Sequence, residues 1–292
     1  MSNKKIASEC GTEFFAQNSI AGFRHSLGLN VDGIEFDVHL SRDNEVVVQH
    51  DYRLNKNITR DSSGEWLTHT GAALCDLTRE QLKQHDIGRY LPGSPEAKAY
   101  PNYQPVDGAP IPLLSDFTAL LSQSGKPTEL WVELKTSPFD RATSSEPQRL
   151  LDQVLNQLAK SNLAGQTVLL AFEWDLLVSA KAQMPELQTN FLTINEATLQ
   201  LLNRRYGTVD AGLLYGQFHP RDYEDNFPKA IASANGDYWG PWIQDVSEED
   251  IVQAKAAKVM VNLWGVDGEK AAIDAAKALG AEAITTSNPT LI

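Results

Sequence analysis

Short apolar runs alternate with helical stretches along nearly the whole chain, and this alternation constrains the fold more than any other feature. Apolar, β-prone runs stand at 5–8, 33–39, 45–50, 129–134, 167–171, 188–192, 237–239, 259–264 and 283–286. Helical spacing begins near Asn18, where Ile20, Phe23 and Leu27 recur behind a capping residue. It returns at 114–124, 148–161, 195–206, 247–257 and 269–279. Strands alternating with helices imply βαβ units and a parallel sheet. Without the run at 45–50 the strands number eight. The last ends six residues from the end of the sequence, which suits a barrel that closes on itself. An open doubly wound sheet would carry a Gly-rich phosphate turn after its first strand, and no GxGxxG is present. The expected fold is therefore α/β, a (β/α)8 TIM-type barrel.

Two features decorate this frame. Only Leu40 to Asn44 connects the runs at 33–39 and 45–50, too short for a parallel crossover, so these strands should form an antiparallel hairpin. A turn centred between Arg42 and Asp43 places Glu35 across from His50. Residues 52–112 interrupt the alternation; 77–85 reads helical, and 92–112 holds six of the fourteen prolines. Insertions after barrel strands cap the catalytic face, so 52–112 is expected to be a capping insertion within a single barrel domain, 1–292.

Composition excludes several classes of partner. A net charge of −13, with no Lys/Arg run, argues against nucleic acid. No span of about 20 apolar residues or signal-type h-region occurs, so no membrane span is expected and the protein should be cytoplasmic. Two cysteines, with no CxxC or Cys/His cluster, leave no basis for a disulfide framework or structural zinc.

The chemistry concentrates on three strand ends. In Glu35-Phe36-Asp37 the carboxylates share one face of a strand, with His39 on the same face, because side chains alternate. Carboxylates beside Val31, Ile34, Phe36 and Val38 are costly unless a cation or hydrogen bonds compensate. Trp131-Val132-Glu133-Leu134-Lys135 repeats the situation, although Glu133 and Lys135 can also form an internal ion pair. Three carboxylates at neighbouring strand ends make a hard oxygen site for Mg²⁺ or Ca²⁺. His50-Asp51 closes a run of three valines, and the hairpin brings His50 to the same end of the barrel.

These residues together resemble the glycerophosphodiester phosphodiesterase family, which typically reads IAHRG, PENT, E-x-D and VVxHD. Here 6–51 runs IASECGTEFFAQNSIAGFRHSLGLNVDGIEFDVHLSRDNEVVVQHD. LTREQLKQHDIG at 77–88, IPLLSDF at 111–117, WVELK at 131–135, VMVNLWGV at 259–266 and AITTSNP at 283–289 follow in the family's order. The resemblance implies a barrel and a divalent metal at Glu35, Asp37 and Glu133. It implies that His50 matches one of two acid/base histidines, that Lys135 lies near the substrate phosphate, and that Trp264 forms part of the pocket wall. The implied activity is hydrolysis of a small-molecule phosphodiester to glycerol 3-phosphate and an alcohol.

The pattern breaks at one point. The family's H-R-G falls on Ser8-Glu9-Cys10, which replaces the first histidine by serine and the phosphate-holding arginine by glutamate. Gln17 stands at the PENT glutamate, and Ser287 where the family often has aspartate. Losing one acid/base group typically costs about 10²–10⁴-fold in rate, and an Arg-to-Glu exchange removes a bidentate anion clamp. Glu9 and His39 are candidate replacements, though strand alternation turns Glu9 away from Ser8. Arg60 and Lys135 are candidate phosphate partners. Three functions remain open: hydrolysis with an altered acid/base set, a catalytically silent barrel that binds metal and ligand, and hydrolysis of a less anionic substrate such as a glycoside or glycosyl ester.

Overall fold

The computed structural model describes residues 3–194, 199, 200, 204, 212–266 and 270–292. Nine strands are present among them: β1 (Lys4–Ala7), β2 (Gly33–Leu40), β3 (Val46–Val48), β4 (Glu129–Leu134), β5 (Thr167–Ala171), β6 (Gln188–Thr193), β7 (Tyr238–Pro241), β8 (Met260–Leu263) and β9 (Ala283–Thr286). β1, β2 and β4 to β9 pair in parallel around a ring, closed on one side by β1 with β9 and on the other by β1 with β2. The fold is the expected (β/α)8 barrel. Its strands are almost wholly buried because helices cover the outside while side chains fill the inside.

The barrel interior is packed, not open. Ile6, Trp131, Val168, Leu170, Leu192, Tyr238 and Ala283 form one cluster inside it. Trp131 is fully buried there, and its ring reaches so close to Gly33 that a Cβ at that position would lie 2.6 Å from the indole. Only glycine lets the largest interior side chain sit beside β2. This plug forms the floor beneath the polar residues at the carboxyl ends of the strands.

Local chemistry sets the helix boundaries. Pro147 opens the helix Pro147–Ser161, the Glu146 carboxylate accepts from the amides of Gln148 and Arg149, and Asn162 ends it in the left-handed region. The helix Glu248–Ala257 carries a Ser247/Asp250 capping box. At Ile20–Gly28 the cap is Ser19, whose hydroxyl accepts from the Gly22 amide, and not Asn18 as the spacing suggested. Asn18 is used elsewhere, as described below. Trp174–Gln183 and Phe227–Ser233 are helices that lacked a clear sequence signal. The helix expected at 77–85 is shorter, Arg79–Leu82. That expected at 195–206 falls mostly outside the described residues. No described helix is long and apolar enough to cross a membrane.

The hairpin forms, but in a different register. Val38 pairs with Val48 and Leu40 with Val46, so the turn centres on Asp43. The Ser41 amide donates to the Glu45 carbonyl, the Asn44 amide donates to the Ser41 carbonyl, and Asn44 adopts φ +68°, giving a three-residue loop that ends on a left-handed residue. A one-residue slip exchanges the faces of a strand. Asp37 therefore lies opposite Gln49, whose amide donates to the Asp37 carbonyl at 3.0 Å. His50 reaches the barrel mouth because β3 stops at Val48 and the chain bends beyond it.

Candidate active site

Thirteen residues of the barrel mouth and one glycine line a cavity of about 330 Å³. Glu35 and Asp37 reach it from β2, and Glu133 from β4. Asp37 and Glu133 are directly paired in register, which places their carboxylates on neighbouring strands at one level. One carboxylate oxygen from each of the three residues lies within 4.8 Å of the others. Glu35 and Asp37 are only 6% and 1% exposed.

Fixed donors orient these acids. The Asn18 side chain donates to Asp37 Oδ2 at 2.8 Å and accepts from the Asp37 amide at 3.1 Å. The Glu9 amide donates to Glu35 Oε2 at 2.8 Å, and Ser8 Oγ donates to the same oxygen at 3.4 Å. Lys135 Nζ lies 2.9 Å from Glu133 and 3.5 Å from Asp37. Burial, with repulsion from Asp37 and Glu133, holds the Glu35 carboxyl well above its usual range. Burial raises Glu133 too, opposed by Lys135. Burial works against the charge on Lys135, but Glu133 and Asp37 outweigh it and hold the ammonium well above its usual pKa. Three hard oxygen donors that repel one another in a buried pocket fit a divalent cation of the Mg²⁺ or Ca²⁺ type.

Ser8 and Glu9 both line the cavity, which alternation along a strand does not allow. The explanation is local: β1 ends at Ala7, and Ser8–Cys10 form a short 3₁₀ turn with Glu9 at φ +45° and Cys10 at φ +70°. Two consecutive left-handed residues without glycine are strained, a cost tolerated where the surroundings fix the backbone. The Asn18 amide donates to the Glu9 carbonyl at 2.9 Å and helps to fix it. Burial pushes the Glu9 carboxyl up to about 7; His50 opposes this and Asp37 adds to it.

His50 also lines the cavity. Its Nε2 lies 3.9 Å from Glu9 Oε1, and its Nδ1 lies 3.1 Å from Asp51 Oδ1. Lys135 and burial disfavour its protonation, but Asp37, Asp51 and Glu9 outweigh them and raise its pKa to about 9. Asp51 is held in turn: Asn55 Nδ2 donates to Asp51 Oδ2 at 2.8 Å and approaches Glu96 Oε1 at 3.4 Å.

Other candidates lie elsewhere. His39 is outside the cavity wall; it is buried against Tyr52, and its Nε2 is 3.2 Å from the His50 carbonyl. Burial lowers its pKa to about 4, so it serves as a neutral prop for the His50 bend. Arg60 pairs with Asp86 and Asp107 and is not among the residues that line the cavity. Glu173 is engaged by Arg141 through two hydrogen bonds of 2.8 and 2.6 Å. Trp264 lines the cavity, its ring 6.1 Å from that of Phe172. Leu170, Phe172, Leu192, Asn262, Gly265 and Thr285 complete the lining; the last three lie in the quoted stretches 259–266 and 283–289, and the first three carried no motif. Asn262 is fully buried; its Oδ1 accepts from Thr285, while its Nδ2 has no partner among the described residues.

Comparison with known proteins places this geometry in context. A profile described as the glycerophosphoryl diester phosphodiesterase family matches residues 10–291. A glycerophosphodiester phosphodiesterase of Bacillus altitudinis is 24% identical over 181 residues, 62% of each chain. YhdW of Bacillus subtilis (strain 168), assigned by name to the same enzymes, is 31% identical over 148 residues, 51% of each chain. The match thus spans between half and two thirds of these curated relatives. A solved structure from Silicibacter pomeroyi DSS-3, assigned by name to the glycerophosphoryl diester phosphodiesterases, superposes with a TM-score of 0.85 at 24% identity, covering 99% of this chain and 91% of that one. A phosphodiesterase of Oleispira antarctica, solved with the product sn-glycerol-3-phosphate, gives 0.65 at 17% identity, covering 98% and 93%.

Proposed function

Because the chain belongs to the glycerophosphoryl diester phosphodiesterase family, we propose that it hydrolyses glycerophosphodiesters to glycerol 3-phosphate and an alcohol, with a divalent cation at Glu35, Asp37 and Glu133. The observation that carries this proposal is the convergence of these three carboxylates, Lys135 and His50 on one cavity at the barrel mouth. The cation would offset phosphate charge and lower the pKa of an attacking hydroxyl.

The remaining work falls to the side chains. Lys135, between Glu133 and Asp37, presents an ammonium to the phosphate oxygens. His50, kept protonated by Asp51 and its acidic surroundings, donates a proton to the departing alkoxide. Glu9 occupies the arginine position but faces the cavity within reach of His50, and it takes over the base role that Ser8 cannot fill. Trp264 and Phe172 form the apolar wall against which glycerol carbons pack. Residues 52–112 act as a capping insertion within a single domain that places Asn55 and Glu96 behind Asp51.

A second function, hydrolysis of a less anionic substrate, draws support from one observation: Glu9 points into the cavity, where a carboxylate repels phosphate. Release of glycerol 3-phosphate from glycerophosphoethanolamine and glycerophosphocholine, with Mg²⁺, Ca²⁺ or EDTA, separates the two. Turnover abolished by EDTA and by His50→Ala supports the diesterase. No phosphodiester turnover under any condition rejects it.

A further inference from the structure

A second and larger cavity, about 570 Å³, opens beside the catalytic one. It follows the carboxyl ends of β3, β4, β5 and β6, on the same face of the barrel. The two cavities share Phe172. They also meet along the chain twice: His50 lines the first and Asp51 the second, and Lys135 lines the first and Thr136 the second. A group leaving phosphorus near His50 and Lys135 therefore has this cavity next to it.

The walls indicate what it takes. Tyr52, Pro138, Phe139, Phe172, Ile194 and Leu214 give it a continuous apolar side, and polar residues including Asp51, Arg53, Asn55 and Asp140 complete the wall. The Tyr52 hydroxyl is turned away from general solvation by its bond to the Thr136 carbonyl at 3.0 Å, which leaves its ring face as lining. Thr136 is 6% exposed, and its Oγ1 has no partner among the described residues. That hydroxyl can bond a single polar atom, such as the oxygen of an alcohol, at the edge of the apolar side.

Size points the same way. Cavities that enclose drug-sized ligands run from about 300 to 1,000 Å³, and this one lies inside that range. A small aminoalcohol would leave most of the aromatic surface in contact with water. We propose that this cavity is the leaving-group subsite, and that it selects glycerophosphodiesters whose alcohol is an alkyl or aromatic chain over those of small polar alcohols. The proposal rests on the diesterase function argued above. Glycerol and phosphate occupy the smaller cavity, with the apolar alcohol lying past Phe172 against Phe139. In hydrolysis the oxygen of a water bonds to phosphorus as the bond to the alcohol oxygen breaks; the water gives up a proton to Glu9, and the alkoxide takes one from His50 and departs as the neutral alcohol through this room.

The test compares glycerophospho-1-hexanol with glycerophosphoethanolamine, reading glycerol 3-phosphate release and, by calorimetry with Mg²⁺ present, affinity. Each methylene buried is worth about fourfold, so the hexyl diester should be favoured at least about tenfold in kcat/KM. Phe139→Ala should shrink that preference about tenfold and Phe139→Leu should restore most of it, both variants lying in a half-buried loop residue. Equal handling of the two diesters, or a preference untouched by Phe139→Ala, overturns the subsite while leaving hydrolysis intact. If neither diester releases glycerol 3-phosphate, the diesterase function fails. The calorimetric comparison then decides the subsite alone: tighter hexyl binding that depends on Phe139 upholds it, and equal binding removes it.

Discussion

Glu9 Oε1 lies 3.9 Å from His50 Nε2, so the residue at which the sequence resemblance expects an arginine faces the residue proposed as the catalytic acid. The pairing arises from two backbone departures. A left-handed turn swings Glu9 inward, and the bend after Val48 brings His50 to meet it. On the proposed function, a carboxylate–imidazole pair stands here in place of an anion clamp. Restoring the clamp should therefore reverse the exchange. The Ser8→His/Glu9→Arg variant should lower KM for glycerophosphoethanolamine by about tenfold or more, since a charged hydrogen bond to phosphate is worth ~1.5–3 kcal/mol. Steady-state kinetics beside the wild type check this, and an unchanged KM would show that position 9 does not meet the phosphate.

His50→Ala should reduce kcat by about 10²–10⁴-fold, the usual cost of one acid/base group. KM should change little, because Lys135 and the three carboxylates proposed to hold the metal remain. A loss confined to KM would place His50 in binding instead.

The contact between Asn55 and Asp51 should act through orientation. Asn55→Ala releases one oxygen of the acid that holds the His50 ring. The expected result is a fall in kcat of about tenfold, equivalent to ~1.4 kcal/mol, with KM steady. Rescue by Asn55→Asp is not expected, since an acid cannot donate to Asp51 at neutral pH.

His50 also sets a pH dependence of stability. Its folded pKa is raised to about 9 from 6.5, so its contribution is fully present below 6.5 and is lost as pH rises through about 9. The ring side chain is 43% exposed, and solvent screening limits the contribution to about 1 kcal/mol. In metal-free buffer, the stability advantage of wild type over His50→Gln should therefore shrink between pH 6.5 and 9. An advantage that grows across that window would contradict the assignment.

Much of this was legible in the residues because the signals were local. The barrel follows from apolar runs spaced by helices, and E-F-D and W-V-E-L-K fix three carboxylates by strand alternation alone. What the pattern missed required knowledge of where regular backbone stops. Alternation fails at Glu9, because β1 ends one residue before Ser8. The hairpin register fails by one, because Asn44 accepts a left-handed turn position. Asn18 looked like a cap and instead serves Asp37, a choice that depends on a partner nineteen residues away. Phe172 and Leu192 gave no signal, since apolar residues look alike in a core and in a pocket wall. The helix Trp174–Gln183 was missed because Val178 and Ala182, off the face that buries Trp174, Leu176, Leu177 and Ala180, blur its apolar stripe.

The measurement that bears most directly on the whole account is a back-titration of metal-stripped protein with Mg²⁺ and with Ca²⁺, following glycerol 3-phosphate release and metal binding on the same samples. It should be run on wild type, Glu133→Gln and Asp37→Asn. The account predicts that turnover rises in step with occupancy of one site, and that each substitution weakens metal binding and turnover together. Turnover that is unaffected by stripping, or metal binding that survives both substitutions, would contradict it.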